Sequence, residues 1–469
     1  MTETQHLFNL LKKGVSPVHA VAAAEERLVA AGFENLDYGK DWQLLPGKKY
    51  YLNHHDTTLF AFTIPMQWQD NNKPAIRIAA AHTDFPCLRI KPSADMKTDV
   101  YAQLNVEVYG GAILNTWLDR PLGIAGRVAV RNDNPFVPQM KYFVSEKNLL
   151  TIPNLAIHMN RKVNEGVELN KQIDMIPLLG LIPEGEDGKD YFLNYIAKEL
   201  SVAKEDILDF ELTVYCKEEP QFVGINDELI SSPRLDNLTS CSALLSAVTE
   251  AEREDGINMI ALFDHEEIGS RSKQGAASIL LHDMLIRILR EIGRDEMAEA
   301  DIYNGMFLSV DVAHGLHPNQ TGKMDVTNKP VLGSGFCIKE ASSQSYATDC
   351  EAIAIIQQIC DAAKIPYQKF VNRSDMPGGG TLGSIASALL PVKTVDVGIP
   401  LLAMHSAREL MGTADQQALK DLTKAFFEAY TVVYQNFILF LEKTPIQIGV
   451  FMLISRSNEN YLFWKKRTY

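Results

Sequence analysis

The sequence predicts an α/β fold, a core of strands and helices split by an inserted β-rich domain of roughly residues 91–234. Three observations carry this reading. Apolar runs end in clusters of His, Asp and Glu, as in PAIRIAAAHTD and MIALFDHEEIGS, and strands of an open α/β sheet place ligands just beyond that end. Helical and strand–helix patterning before Lys91 and after Asp236 flanks a stretch of alternating strands and turns. A chain of 469 residues also exceeds one typical core, so a large domain with an insertion, or two domains, is expected.

The elements follow in order. Ser16-Pro17 and the apolar repeat after it read as a helix, with Ser16 as cap, Pro17 in the first turn and Gly32 as the stop. KKYYLNH and TLFAFTIP alternate like a hairpin, and PAIRIAAAHTD reads as a buried strand ending in His82 and Asp84. VYAQLNVEVYGG and GIAGRVAVRND are strands of the insert, which also carries polar stretches such as PEGEDGKD. LTSCSALLSAVTEAERED then predicts an amphipathic helix, followed by the MIALF strand. MFLSVDVAHG and KTVDVGIP are further strands, and a last helix runs from Asp415 to about Leu441. The expected division is 1–90 with 235–442, an insert of 91–234, and a tail of 443–469. The tail reads equally as an edge strand, an unordered extension or an added sequence.

Composition narrows the function. With 46% hydrophobic and 22% charged residues the chain is an ordinary globular protein. A net charge of −14 argues against nucleic acid or an anionic membrane as partner. Six cysteines without a CxxC pair or a disulfide-dense pattern point to a reduced, cytoplasmic setting. No signal-peptide pattern and no membrane-spanning run are expected.

The acids and histidines at strand ends suggest a chemistry. His82 and Asp84, Asp236, Glu266 and Glu267, Asp311 and His405 each follow an apolar segment or lie at a turn into a helix. Two imidazoles and three carboxylates can hold two divalent ions about 3.5–4 Å apart if one carboxylate bridges them. Of two adjacent glutamates, pointing in different directions, one can bind metal while the other moves a proton from water to a leaving amine. In His82-x-Asp84, an acid two residues on can accept the other ring N–H and fix the metal-binding tautomer. His54-His55, His314 and His317 are histidine-rich spots, of which His314 and His317, three apart just after Asp311, read as loop residues. Gly378-Gly379-Gly380 reads as a tight turn, since no phosphate-loop Lys follows.

In family order, the motifs SPVHAV, HTDFPCLRIKP, GGAILNTWLDRPLGIAGRV, IPNLAIHMNR, RLDNLTSC, HEEIGSRSKQGA, DVAHGLHPN, SDMPGGGTLGSIAS and MHSARELM span about residues 16–442. In these the chain resembles the aspartyl aminopeptidase family of dinuclear metallopeptidases. The resemblance implies a mixed-sheet zinc-peptidase domain with helices on both faces, interrupted by a dimerisation domain, with dimers assembling to a dodecamer. It implies His82, Asp236, Glu267, Asp311 and His405 as ligands of two ions, usually Zn2+, with Mn2+ or Co2+ as substitutes. Asp236 would bridge, His82 and Asp311 completing one site and Glu267 and His405 the other. Glu266 would be the general base, with exchanged glutamate roles as the competing assignment, and Asp84 would orient His82. His158 matches a histidine given to a neighbouring subunit's active site, and Lys339 a basic residue near the pocket for the substrate's first side chain. The implied activity is removal of N-terminal residues, acidic ones preferred, from peptides with a free N-terminus. A deacylase with a similar centre and a non-catalytic shell protein are the other readings. His265 departs from the family, where asparagine is common, and the tail has no counterpart.

Overall fold

The computed structural model describes residues 1–69 and 74–429. The expectations for the tail 443–469, and for the last helix beyond residue 429, fall outside the described residues.

A nine-stranded mixed sheet is the frame for everything else. From edge to edge it runs Glu34–Asn35, Lys49–His54, Thr58–Thr63, Ile257–Phe263, Ile76–His82, Met306–Val310, Lys393–Gly398, Phe336–Glu340 and Tyr367–Val371. The second and third strands form the hairpin the sequence predicts, with Lys49 opposite Thr63 and His54 opposite Thr58. From Ile257–Phe263 to Lys393–Gly398 the strands are parallel, so their C-terminal ends open on one side. Near-continuous apolar runs belong in such strands because both faces are covered. Ile260 and Leu262 belong to one core with Leu244, Leu245 and Leu419, whereas Met259, Ala261 and Phe263 belong to another with Met284, Leu285 and Ile288. The period-2 alternation of a strand thus feeds two helical layers.

One layer holds the helices Glu3–Lys13, Leu235–Glu250 and Thr413–Glu428, and the other holds Leu280–Glu291 and Leu382–Leu389. The helix at Leu235–Glu250 corrects the sequence reading. It is not amphipathic in place: every residue from Leu235 to Val248 is buried. It lies between the sheet and the other two helices of its layer, so its polar residues are small and turn inward. Thr239 Oγ1 donates to its own Leu235 carbonyl at 2.7 Å, and Ser242 Oγ donates to Glu3 Oε1 at 2.8 Å. Gln416 Nε2 donates to the same Glu3 oxygen at 2.9 Å. The N-terminal helix, which the sequence pattern did not announce, is therefore part of the core. The helix Pro17–Ala30 forms as expected, but Ser16 makes no side-chain cap bond; its Oγ pairs with His19 Nδ1 at 2.7 Å.

A separate six-stranded antiparallel sheet draws its strands from residues Cys87 to Cys216. Its order is Gln139–Val144, Leu122–Val130, Ile207–Cys216, Cys87–Thr98, Tyr101–Tyr109 and Leu178–Leu181. A third sheet of five short strands joins Gln221–Val223 and Leu229–Ser232 to Glu409–Gly412, Pro400–Leu402 and Ala313–His314. All six cysteines are free, five of them buried. Among the described residues no helix is long and apolar enough to cross a membrane.

Candidate metal centre

The parallel strands deliver four acidic or imidazole groups to one place. His82 ends its strand, Glu266 and Glu267 occupy a 3-10 turn just after Phe263, and Asp311 follows Val310 directly. Asp236 comes from the first turn of the buried helix, and His405 from the loop after Pro400–Leu402. This is the strand-end placement that open sheets give their ligands.

The geometry centres on Asp236. Its Oδ1 is 3.5 Å from His82 Nε2, while its Oδ2 is 3.3 Å from His405 Nε2. His82 Nε2 is also 3.6 Å from Asp311 Oδ1 and 3.9 Å from Glu266 Oε2. His405 Nε2 is 3.5 Å from Glu267 Oε2. Three donor groups converge closely enough to hold an ion: His82, Asp236 and Asp311; Asp236, Glu267 and His405; and His82, Glu266 and Glu267.

The surroundings fit divalent cations. Asp236 Oδ1 and Glu267 Oε1 are buried without a hydrogen-bond partner, a costly arrangement for carboxylates unless a cation faces them. The crowding of charge has the same meaning. Burial pushes Glu266 up to about 8, with Asp311, Asp84 and Asp236 adding to it against the pull of His82. Glu267 is raised well above the usual carboxylate range by burial and then by Asp236. Burial would lower His82 and His405, but facing carboxylates outweigh it and hold both above their ordinary value, His405 at about 10. Mutually repelling acids with histidines between them are a cation's ligand set.

Second contacts hold the donors in place. His82 Nδ1 lies 3.0 Å from the Asp84 carbonyl oxygen and 3.4 Å from Asp84 Oδ1, so the ring nitrogen away from the cluster has its acceptor. The Asp84 carboxylate does more than the sequence suggests: Oδ1 accepts the Glu266 N–H at 3.0 Å and Oδ2 the Glu267 N–H at 3.1 Å. His405 Nδ1 is 3.2 Å from the Gly111 carbonyl oxygen. Glu409, unremarked in the sequence, is buried and accepts two main-chain N–H groups, from Asp236 at 3.0 Å and His405 at 2.8 Å. An acid inside the short apolar strand ELMG was the signal available for it.

The remaining candidates fall outside the cluster. His265 has a left-handed backbone, φ 64°, which asparagine and histidine tolerate better than most residues. Its Nδ1 pairs with Ser272 Oγ at 2.8 Å, so it turns away from the donors. His158 lies in an exposed turn with no hydrogen bond or ion pair to the cluster of its own chain. Lys339 is buried in the strand Phe336–Glu340 rather than at the surface. Its Nζ donates to the Val312 carbonyl at 2.7 Å and lies 4.6 Å from the Tyr346 ring centre. Burial would lower its pKa, but Asp311, Tyr346 and Asp396 outweigh that and raise it. His314 faces the Phe370 ring edge-on at 5.9 Å.

A mixed sheet with helices on both faces thus brings together donors that could hold divalent ions. Residues 10–427 match the model of the family described as "Aminopeptidase I zinc metalloprotease (M18)". A "Probable M18 family aminopeptidase 2" of Clostridium novyi is 42% identical over 424 residues, 90% of this chain and 97% of the relative. The Pseudomonas fluorescens protein of the same name is 39% identical over 432 residues, 91% of this chain and 98% of the relative. Among solved structures, a chain from the Ape4 and Nbr1 complex superposes with a TM-score of 0.86 at 33% identity, covering 95% of this chain and 88% of that one. The chain belongs to the M18 family: it is a metal-dependent aminopeptidase, a peptide hydrolase of the zinc metalloprotease class.

Proposed function

We propose that the enzyme is a dinuclear aminopeptidase that removes one residue from peptides with a free N-terminus, acidic residues preferentially. The observation that carries the dinuclear reading is the two-sided Asp236 carboxylate, one oxygen toward His82 and the other toward His405. Asp311 would complete the ligands on the His82 side and Glu267 those on the His405 side. Two bound divalent ions, Zn2+ by family or Mn2+ and Co2+ in its place, supply Lewis acidity to the scissile carbonyl and acidify water.

Glu266 takes the proton of the attacking water and passes it to the leaving amine. Its support is position: it reaches the His82 side and lies outside both donor groups that include Asp236, though with His82 and Glu267 it forms the third. Asp84 holds the main chain of both glutamates and, through its carbonyl, the His82 ring. Glu266→Gln should abolish turnover with two ions still bound per chain; loss of an ion instead would exchange the glutamate roles.

The acidic preference would come from Lys339, a cation close enough to Asp311 to feel its charge and able to attract an acidic side chain. Its engagement with the Val312 carbonyl supports a second reading, a neutral first-residue preference. A panel of aminoacyl chromogenic substrates decides between them: faster cleavage of leucyl than of aspartyl or glutamyl substrates removes the acidic preference. N-acetylated peptides as better substrates than free ones would make the enzyme a deacylase.

We further propose that the domain of about 91–234 mediates dimerisation, dimers assembling to a dodecamer, with His158 completing the neighbouring subunit's site. Support comes from the exposure of His158 and its lack of a contact with its own chain's cluster, and from a yeast mApe1 described as a dodecamer, which shares the fold at a TM-score of 0.77 and 24% identity, covering 92% of this chain and 98% of that one. An active monomer in light scattering would remove both statements.

A further inference from the structure

Three successive residues at the end of one strand of the six-stranded sheet, Tyr109, Gly110 and Gly111, each touch a different part of the metal centre. Tyr109 ends the strand Tyr101–Tyr109, and its hydroxyl donates to Asp84 Oδ2 at 2.7 Å. That oxygen is the one that accepts the Glu267 N–H, so the hydroxyl and the main chain of a proposed ligand share a single acceptor. Gly110 has φ +73°, and a Cβ built on it would lie 3.2 Å from Glu267 Cβ. Left-handed backbone and close approach both call for glycine there. The Gly111 carbonyl faces His405 Nδ1 at 3.2 Å, leaving His405 Nε2 toward Asp236 and Glu267. A Cβ on Gly111 would stand 3.2 Å from that same Nδ1.

We infer that Tyr109, Gly110 and Gly111 are positioning residues of the metal centre: the inserted sheet supplies a strap that orients Asp84, Glu267 and His405. The inference rests on the dinuclear reading above. Outer contacts of this kind set the ring orientation and basicity of metal-binding groups, and their loss costs 10–100-fold in metal affinity. The strap acts at two separable places. Tyr109 works through Asp84 on the turn of the paired glutamates. Gly111 works through the His405 tautomer and leaves His82 alone. The contacts also make the sheet a fixed wall of the active site, so a displacement of that sheet reaches the ligands directly.

The test is a zinc titration of the metal-free full-length chain against a competing chromophoric chelator, for the unaltered protein, Tyr109→Phe and Gly111→Ala. Tyr109→Phe removes one hydroxyl and adds no bulk, so the strand keeps its packing while Asp84 loses one donor. The unaltered protein should take up two zinc ions per chain. Tyr109→Phe should bind zinc at least tenfold more weakly, while the metal-free protein still unfolds in a single cooperative transition. Gly111→Ala should weaken one ion selectively and leave the other at its original affinity. Two ions bound with unaltered affinity by both folded variants overturns the strap. Fewer than two ions bound by the unaltered protein overturns the dinuclear reading instead, so the two failures are distinguishable.

Discussion

Glu409→Gln isolates the contribution of a buried carboxylate whose partners are the main chain of two proposed ligands. Both carboxylate oxygens accept main-chain N–H groups, at 3.0 Å from Asp236 and 2.8 Å from His405, and the residue is 2% exposed. A hydrogen bond to a charged group contributes about 1.5–3 kcal/mol, and a buried donor left unpaired costs about 1–3 kcal/mol. Glutamine retains one acceptor oxygen and turns its NH2 toward the other N–H, so one bond is lost and two donors oppose each other. The resulting strain is about 2–3 kcal/mol, applied at the main chain of the two residues that together face both proposed ions. At about 1.4 kcal/mol per factor of ten, full expression in ion binding gives roughly 30- to 150-fold. Zinc affinity measured by chelator competition should therefore fall at least tenfold, and kcat should fall in step at limiting zinc. Glu409→Asp, which keeps the charge on a shorter stem, should restore part of the loss. A folded Glu409→Gln protein with unaltered zinc affinity and unaltered kcat would refute the positioning role.

Exhaustive chelation should remove activity and added zinc, manganese or cobalt should restore it; activity surviving in a protein shown free of metal by elemental analysis contradicts the centre. Burial pulls His19 down to about 4, so between about pH 4 and 6.5 the unfolded chain binds the extra proton and stability falls as the solution is acidified. His19→Gln should lose less of its urea midpoint than the parent between pH 7 and 4.5, and an equal loss would remove His19 as a contributor. Leu244→Ala, at a fully buried site of the central helix, should cost about 2–5 kcal/mol, read as a lowered denaturant midpoint with the donor cluster untouched.

The donor residues were legible because each closes an apolar run, and a sheet buried on both faces writes its strands as such runs. His82 after IRIAAA, Glu266 and Glu267 after INMIALF, and Asp311 after MFLSV meet because those strands are parallel neighbours. What the pattern did not carry is contact between distant segments. Tyr109 looks like one more alternating strand residue until Asp84 is placed beside it. Glu409 lies in a four-residue strand too short to show periodicity. The central helix misled for a related reason. Its serines and threonines mimic a polar face, although Ser242 and Ser246 donate to Glu3, Thr239 and Thr249 donate to carbonyls of the helix itself, and the Ser240 hydroxyl is buried without a partner.

Glu3 ties the first described helix to the last. Its carboxylate is buried, and one oxygen accepts from Ser242 and from Gln416, a separation of 413 residues in the second case. Contacts this remote close last, because the loop entropy comes due before the burial rewards it. A ribosome must therefore release the segment Thr413–Glu428 before the helix Leu235–Glu250 can be covered, whereas the six-stranded sheet of Cys87–Cys216 has all its strands hundreds of residues earlier. Until that segment emerges, the face of the central helix that Thr413–Glu428 covers stays open, the kind of transiently exposed surface that favours aggregation.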